Sequence, residues 1–183
     1  MKSYVVLIRG INVGGKNKIS MAQLKKCLED LGFLGVSTYI ASGNILVRSD
    51  QNAKQVKAII EAAIPKHFKL DSDLIKALVL TPSQLKTIIN KKPRGFGEKP
   101  TTYHSDVIFL IDISSAKAMS VFSPKEGVDT IWKGTNVIYS QRLSALRTKS
   151  RLNRIMMTPA YKSMTIRNWN TVTKLLRLVE HKK

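Results

Sequence analysis

The stretch "VSTYIASGNILV" (36–47) decides the fold, because two short apolar segments flank a tight turn. Residues 36–40 and 44–47 have strand composition, and Gly43 is free to take the positive φ that a short connection needs. A turn this short joins antiparallel strands, whereas parallel strands need a long crossover. The stretch therefore predicts a hairpin in an antiparallel sheet.

A strand and a helix are predicted on each side of this hairpin. "YVVLIR" (4–9) is a continuous apolar run, typical of a strand buried on both faces. Ser20 with Gln23 forms a capping box that begins an amphipathic helix. Residues 52–64 predict a second amphipathic helix, and residues 73–80 predict a further strand. This βαββαβ order is ferredoxin-like, with two helices on one face of an antiparallel sheet.

The rest of the chain predicts a second, looser pass through the same order. The sequence is therefore assigned to the α+β class, as two ferredoxin-like βαββαβ halves with antiparallel sheets and helices on one face. The predicted domains are residues 1–80 and residues 81–183, the second ending in basic helices. The elements predicted in the second domain are a helix at 81–90, a strand at 106–112, a short helix at 114–122, a hairpin over 129–140, a helix near 147–156, a turn at 158–161 and a final helix from 168 onward.

Composition predicts a soluble cytoplasmic protein. Of the 183 residues, 43% are hydrophobic and 23% are charged, which is ordinary for a globular chain. The longest apolar runs, such as 107–111, are far too short for membrane insertion, and residues 1–10 predict a strand in place of a signal peptide. The single cysteine, Cys27, cannot form an internal disulfide, which fits a reducing compartment.

The net charge is less typical of a globular chain than the rest of the composition. Thirty-one basic residues against twelve acidic ones leave a net charge of +19, and residues 141–183 hold eleven basic residues and one acid. This surplus favours a polyanionic partner, nucleic acid first and an anionic membrane second, and the alternative is a compositional bias toward lysine. The partners expected overall are nucleic acid or a phosphate-bearing small molecule. Spacings of three and four partly align the nucleic-acid candidates on one helical face: Arg142, Arg147, Arg151 and Arg154. Nothing in the sequence indicates the oligomeric state.

"LIRGINVGGKNKIS" (7–20) resembles a P-loop, with Gly10, Gly15 and Lys16 after a buried strand. A P-loop needs Ser or Thr after the lysine to bind magnesium, and here Asn17 follows. It also needs the helix to begin at the lysine, whereas the capping box places the start at residue 20 or 21. The stretch therefore argues against nucleotide hydrolysis.

Two interpretations of this stretch remain open. The backbone amides of Gly14 and Gly15 could form an anion-binding nest, with Arg9, Lys16 and Lys18 nearby. Alternatively, the glycines simply turn the chain and the arginine ends a strand.

The sequence predicts neither a metal site nor a cofactor. His67, His104 and His181 are scattered, without a cysteine or carboxylate partner at ligand spacing. Cys27 lies on the apolar face of its helix, where it is expected to act as a small hydrophobic residue.

A second dense stretch, "MTIRNWNTVTKLLRLVE" (164–180), begins the last predicted helix. Asn168 or Asn170 is a candidate N-cap, and Arg167 could bind an anion together with the helix N-terminus. Trp169 is expected to anchor the core, with base stacking as the alternative.

"LIRGINVGGKNKISMAQLKKCLEDLGF", "TYIASGN" and "TIRNWNTVTKL" resemble the landmarks of the bacterial domain-of-unknown-function family numbered 1697. The resemblance implies a cytoplasmic α+β protein of two ferredoxin-like halves and carries no established activity. Strong basic charge is not part of the family pattern, so the C-terminal surplus belongs to this member. Residues matching the landmarks are Arg9, Gly10, Asn12, Gly14, Gly15, Lys16, Ser42, Gly43, Asn44, Arg167, Asn168 and Trp169. Of these, the ligand-binding candidates are Arg9, Asn12, Gly14, Gly15, Lys16, Ser42, Asn44, Arg167 and Asn168.

Three functional hypotheses follow, and the sequence leaves open whether the protein is an enzyme. The favoured one is a binding protein for phosphate-bearing ligands, nucleic acid included. The second is an enzyme acting on a small anionic metabolite, which requires the end of the first strand to lie beside the 41–44 turn. The third is a structural or partner-binding protein, in which Asn12 and Asn44 only brace the fold.

Overall fold

The structure is a computed structural model that describes residues 1–72 and 75–181. It contains two four-stranded antiparallel sheets with helices, which confirms the predicted α+β class and the two ferredoxin-like halves. The chain forms two compact units, Met1–Leu85 together with the residues from Leu175 onward, and Lys86–Lys174. The predicted division into 1–80 and 81–183 stays a prediction.

The first unit has the strand order β2-β3-β1-β4 of a ferredoxin-like sheet. The predicted hairpin is present, with Thr38 opposite Ile45 and Tyr39 opposite Asn44. Of the strand predicted at 73–80, residues 73 and 74 lie outside the described residues. The elements are β1 (Lys2–Arg9), α1 (Met21–Asp30), β2 (Leu34–Tyr39), β3 (Asn44–Ser49), α2 (Ala53–His67) and β4 (Lys76–Leu80), followed by α3 (Pro82–Asn90).

Alternation along β1 places Tyr4, Val6 and Ile8 on the sheet face that forms one hydrophobic core with the two helices. Leu24 and Leu28 are the fully buried residues that α1 contributes to this core. The Oγ of Ser20 accepts a hydrogen bond from the Gln23 amide at 3.4 Å, which confirms the predicted start of this helix. The buried residues of α2 are Val56, Ile60, Ala63 and Ile64.

The second unit repeats this order in the sheet β6-β7-β5-β8, but its residues 144–163, all of them described, form no second α-helix. Three short 3₁₀ helices, Ser144–Lys149, Leu152–Met157 and Pro159–Ser163, take its place. The helix predicted near 147–156 is therefore wrong. The other elements are β5 (Tyr103–Leu110), α4 (Ser115–Met119), β6 (Asp129–Lys133), β7 (Val137–Leu143) and β8 (Met164–Asn168), and α5 (Trp169–Glu180) follows.

Candidate functional site

A small hairpin follows β1, and we call residues 10–19 the glycine loop. The amide of Lys16 donates to the Val13 carbonyl at 3.1 Å, and the amide of Asn12 donates to the Asn17 carbonyl at 3.1 Å. Gly14 and Gly15 lie between these pairs with φ of 60° and 77°. Positive φ at both central residues is typical of the type I′ turn, which favours glycine. The two glycines therefore form the tip of a tight hairpin.

Asn12 fastens this hairpin to the neighbouring turn. Its Nδ2 donates to the carbonyl of Ala41 at 2.8 Å and to that of Ile19 at 2.9 Å, and its Oδ1 accepts from the Ile19 amide at 2.8 Å. The amide of Ile8 also donates to the Gly43 carbonyl at 2.8 Å. The end of β1 and the 41–44 turn therefore lie side by side, as the small-metabolite hypothesis requires.

Asn17 anchors the other side of the loop and is only 3% exposed. Its amide donates to the carboxylate of Asp71 at 2.6 Å, and its Nδ2 donates to the Gly10 carbonyl at 2.6 Å. Its Oδ1 accepts from the amides of Asp71 and Ser72. Sequence reasoning used Asn17 only as evidence against a P-loop and missed this role. Asparagine's tolerance of positive φ in a glycine-rich stretch was the available signal.

Asn44 and Ser42 close the hairpin turn from inside. Asn44 is fully buried, and its Nδ2 donates to the Tyr39 carbonyl at 3.0 Å and to the Ser42 Oγ at 2.9 Å. The side-chain amides of Asn12 and Asn44 thus brace the two turns, as the structural hypothesis expects of them. Each Nδ2 already donates two hydrogen bonds within the protein.

The tip of the glycine loop faces solvent. Val13 is 60% exposed, Lys16 and Lys18 are exposed, and Arg9 is half-buried at the end of β1. A Cβ added to Gly14 or Gly15 would meet nothing within 4 Å. The loop is therefore fixed at its base, while among the described residues none, apart from chain neighbours, lies within 4 Å of a Cβ placed at either tip glycine.

The neighbouring turn presents an apolar residue in an unusual conformation. Ile40 is 53% exposed and has a φ of 50°. A β-branched residue at positive φ is a rare, strained state that persists only where the surroundings impose it. Ile40 adjoins Ala41, which Asn12 holds, so the exposed Ile40 and Val13 flank the same hydrogen bond.

In the second unit, Arg142 is buried, which corrects its place among the nucleic-acid candidates. Its guanidinium contacts the Asp106 carboxylate at 3.3 Å and donates to the Asn153 Oδ1 at 3.1 Å. Arg142 lies in β7, whereas the exposed candidates lie in or next to two separate 3₁₀ helices. They do not share one helical face as predicted. The exposed candidates are Arg147, Arg151 and Arg154.

Asp129 lies opposite Arg142 in the sheet and is buried with it. Burial alone would raise the pKa of Asp129, but hydrogen bonds from Ser150 and from the amides of Arg151 and Lys125, with the Arg142 charge, lower this pKa below its usual range. Among the described residues, the Oδ1 of Asp129 and the Nε of Arg142 are buried without a hydrogen-bond partner. This cluster is a structural ion network in which the side chains of Arg142 and Asp106 are only 10% and 12% exposed.

His104 is the second residue that sequence reasoning missed. Its Nε2 lies 3.1 Å from the Oδ1 of Asp106, and its side chain is 38% exposed against 12% for the carboxylate. The predicted absence of a carboxylate partner is therefore wrong for His104. The signal was present, because residues i and i+2 of a strand point to the same face.

Arg167 and Asn168 end β8 in different environments. Burial lowers the pKa of Arg167 to about 10, and its guanidinium donates to the Thr165 Oγ1 at 2.9 Å and to the Ile166 carbonyl at 2.8 Å. Asn168 is the N-cap of α5, because its Oδ1 accepts from the Asn170 amide at 3.0 Å. Its Nδ2 donates to the Ser105 carbonyl at 3.2 Å.

Trp169 is a core anchor, as predicted. Its ring meets that of Phe96 edge to face, with 5.2 Å between centroids, and Phe96 is fully buried. Trp132 and Tyr139 contact the same phenyl ring at 5.9 and 5.1 Å. The polar loop that carries Phe96 is thereby fastened to the sheet.

A cavity of about 120 Å³ opens at the start of β5. Its walls are Gly97, Pro100, Tyr103, His104, Ser105, Asn168, Trp169 and Asn170. No group of three or more His, Cys, Asp or Glu residues able to hold a metal occurs within residues 1–72 and 75–181. Among the helices of the described chain, none has both the length and the apolar character that a bilayer crossing demands.

Comparison with known proteins places these features in a family. Residues 1–139 match the family described as "Protein of unknown function (DUF1697)". The chain belongs to this family. The match includes the glycine loop and the 41–44 turn of this DUF1697 protein, whereas Arg167, Asn168 and Trp169 lie beyond it.

A solved structure extends the likeness in fold to nearly the whole DUF1697 chain. The conserved bacterial protein SP0830 from Streptococcus pneumoniae is 25% identical, with a TM-score of 0.76. The alignment covers 97% of this chain and 98% of that one. No curated protein matches this DUF1697 chain.

Proposed function

We propose that the protein binds phosphate-bearing ligands, duplex nucleic acid among them, through the tip of the glycine loop. One observation supports this most: the side-chain amides of half-buried Asn12 and buried Asn17 fix the base of a loop whose tip residues are exposed. These two polar side chains add no apolar surface to the core, so their bracing is best explained by presentation of the tip. Rigid presentation also lowers the entropy that binding costs.

The charge of the tip suits a polyanion. Lys16 and Lys18 are exposed there and Arg9 lies at its base. The nearby carboxylate of Asp71 accepts from the Asn17 amide at 2.6 Å, so this acid is engaged at the base of the loop. Together with the net charge of +19, these lysines favour phosphate contacts of the salt-dependent, sequence-independent kind.

The same geometry disfavours a nucleotide hydrolase. In a P-loop, the helix N-terminus begins at the lysine and directs its amides to the phosphates. Here α1 begins at Met21, and Lys16 belongs to the small hairpin. The tip is a raised turn, which suits contact with an extended backbone better than enclosure of a small molecule.

A protein partner is a second candidate, favoured by the exposed side chains of Val13 and Ile40. Apolar groups on both sides of the Asn12–Ala41 hydrogen bond, bordered by lysines, would suit an acidic partner with an apolar centre. Binding to such a partner would fall when Ile40 becomes Asn, whereas duplex binding would not.

The experiment compares salt dependence in three double variants, each of which removes two exposed basic side chains. Duplex DNA binding is titrated at several salt concentrations, and the log–log slope changes by about 0.9 for each phosphate that a variant no longer neutralises. The variant Lys16→Ala/Lys18→Ala is expected to give a shallower slope. The control Lys54→Ala/Lys66→Ala, from α2, is expected to keep the wild-type slope.

The third variant, Arg151→Ala/Arg154→Ala, tests the rival surface in the second unit. An unchanged slope in this variant supports the glycine loop. The proposal is overturned by a loss confined to Arg151 and Arg154, by equal losses in all three variants, or by no binding at low salt.

A further inference from the structure

The sheet of the second unit has two faces, and only one of them packs with α4 and the 3₁₀ helices. Ile138 lies on that face, in the hydrophobic core that these helices share. In β6 and β7, Thr130 pairs with Gln141 and Trp132 pairs with Tyr139. Since successive residues of a strand alternate between faces, these four side chains lie on the opposite face from Ile138.

A cavity of about 230 Å³ lies on this opposite face, and we call it the sheet cavity. Tyr103 and Trp132 are half-buried in its wall, so part of each ring is accessible. Phe96 meets the Trp132 ring edge to face, with 5.9 Å between centroids, which holds that ring in place. The cavity is smaller than the range of about 300–1,000 Å³ for drug-sized ligands, so it suits one small ring system. The side chains in its wall are Glu98, Lys99, Tyr103, Thr130, Trp132 and Gln141.

Gln141 supplies a hydrogen-bond donor to the sheet cavity and is only 6% exposed. Its Oε1 accepts from the Gly97 amide at 3.1 Å and from the Ser105 Oγ at 2.9 Å. A backbone amide only donates, so these contacts fix which end of the side-chain amide is the oxygen. Nε2 has no acceptor among the described residues and is not fully enclosed, so a ligand in the cavity can accept from it.

The unbalanced charge beside the cavity is positive. The carboxylate of Glu98 contacts the Lys92 Nζ at 2.8 Å and accepts from the Gly95 amide at 3.1 Å, so this acid is engaged. Lys99 is exposed and forms no ion pair with any described residue. The cavity therefore combines ring surfaces and a buried amide donor with one cation.

We infer that the sheet cavity binds one unpaired nucleobase, from a single-stranded nucleic acid or from a free nucleotide. A four-stranded sheet with aromatic side chains on one face is a platform on which such bases stack. Trp132 and Tyr103 supply the stacking surface here. Nε2 of Gln141 donates to a base oxygen or ring nitrogen, and the Lys99 ammonium pairs with the attached phosphate.

This site is independent of the glycine loop, because its residues belong to the second compact unit. The bases of a duplex are paired and stacked, so a duplex is expected to bind without entering the sheet cavity. The variant Lys16→Ala/Lys18→Ala leaves every residue of the cavity unchanged. Duplex binding at the loop and base binding at the sheet cavity can therefore fail separately.

The test measures the tryptophan fluorescence of the full chain during titration with a short oligothymidylate, because a base that stacks on Trp132 quenches its emission. An abasic strand of equal length keeps the phosphates and lacks the bases. It is expected to cause no quenching and to bind at least about tenfold more weakly. Thymidine monophosphate identifies the source of the base: affinity equal to that of the strand indicates a free nucleotide, and weaker binding indicates a single strand.

The variant Trp132→Phe assigns the quenching to one ring. The chain has two tryptophans, and Trp169 lines a different cavity. Phenylalanine keeps an aromatic ring against Phe96, so the variant is expected to fold and still to bind the oligothymidylate. Its remaining tryptophan emission is expected to stay unquenched.

Gln141→Glu tests the amide donor. The variant keeps an oxygen for the Gly97 amide and the Ser105 hydroxyl and replaces Nε2 by a second oxygen. Its affinity for oligothymidylate is expected to fall about tenfold, because an acceptor then faces the acceptors of the base. Gln84→Glu adds the same charge at an exposed position of α3 and is expected to keep the wild-type affinity. Melting temperatures show whether each variant is folded.

Three results would overturn the inference. The first is an abasic strand that binds as tightly as oligothymidylate. The second is quenching that persists in Trp132→Phe, or that duplex DNA causes to the same extent as the single strand. The third is a folded Gln141→Glu variant with wild-type affinity. If Gln141→Glu does not fold, the first two comparisons decide, since they need no change at that position.

Discussion

Asn12 and Asn17 each take a left-handed backbone conformation, with φ of 53° and 46°, and each uses its side-chain amide to bond backbone groups from distant parts of the chain. Asparagine tolerates this conformation better than other non-glycine residues, and its side chain both donates and accepts. The two residues therefore do what glycine alone cannot: they allow the turn and also fasten it.

At this scale, Asn17→Ala is expected to destabilise the protein by about 3 kcal/mol, because backbone groups of Asp71, Ser72 and Gly10 each lose a hydrogen bond to the buried Asn17 side chain. Asn17→Gly loses the same hydrogen bonds but accepts the φ of 46°, so it is expected to be about 1 kcal/mol more stable than the alanine variant. Chemical denaturation measures both. An alanine variant as stable as wild type would contradict this role for the side chain.

Tyr139 gives a prediction about pH. Burial raises the pKa of its phenol to about 12, and the hydroxyl donates to the Ile88 carbonyl at 2.6 Å. An unfolded tyrosine ionises near pH 10, so between pH 10 and about 12 unfolding releases a proton that the folded protein retains. The contribution of Tyr139 to stability is therefore complete below pH 10 and is lost as the pH rises toward 12.

Comparison with Tyr139→Phe isolates this phenol from other groups that titrate at high pH. Denaturation of both proteins across this range is expected to show the stability difference shrinking as the pH rises. Ultraviolet absorbance is expected to show one late-titrating tyrosine that the variant lacks. A stability difference between wild type and Tyr139→Phe that stays constant as the pH rises would exclude the raised pKa of Tyr139.

The elements divide into those that local pattern predicts and those that it does not. The hairpin at 36–47 and the Ser20 cap depend on neighbouring residues, and both are present. The three 3₁₀ helices depend on distant contacts, such as Arg151 with Asp129, 22 residues away in sequence. Arginines at spacings of three and four match one face of an α-helix. No neighbouring residue distinguishes such an α-helix from the 3₁₀ helices that the chain forms here.

The candidate site divides in the same way. The glycine loop was predicted as a basic corner, because its glycines and lysines are contiguous in sequence. The residue type of Asn17 was a signal for a turn, but its bracing partner could not be predicted, since Asp71 lies 54 residues away. The His104–Asp106 pair was predictable from strand alternation, but Arg142 joins it from 36 residues away.

At the scale of one element, the loop before β5 gives a prediction about stability. Gly95 and Gly97 both have positive φ, but only at Gly97 would a Cβ meet the Trp169 ring, at 2.5 Å. Gly95→Ala is therefore expected to cost about 1 kcal/mol through backbone strain alone. Gly97→Ala is expected to cost about 3 kcal/mol or more, because the aromatic cluster must also shift. Thermal denaturation compares them, and equal melting temperatures would show that the loop does not pack on Trp169.

At the scale of the whole molecule, charge and fold carry different information. The fold is that of the DUF1697 family and of the solved Streptococcus pneumoniae protein. The net charge of +19 concerns partners, because it raises the rate and the salt dependence of encounters with polyanions without specifying where they bind. The braced tip of the glycine loop is the location that we propose for this binding.

The most direct measurement is an amide NMR titration of the full protein with a short DNA duplex at low salt, repeated at higher salt. Binding at the loop predicts that the amide signals of Gly14, Gly15 and Lys16 shift first and furthest, and that added salt reverses the shifts. Shifts confined to the segment around Arg147–Arg154, or no shift in the glycine loop at low salt, would contradict the proposed function.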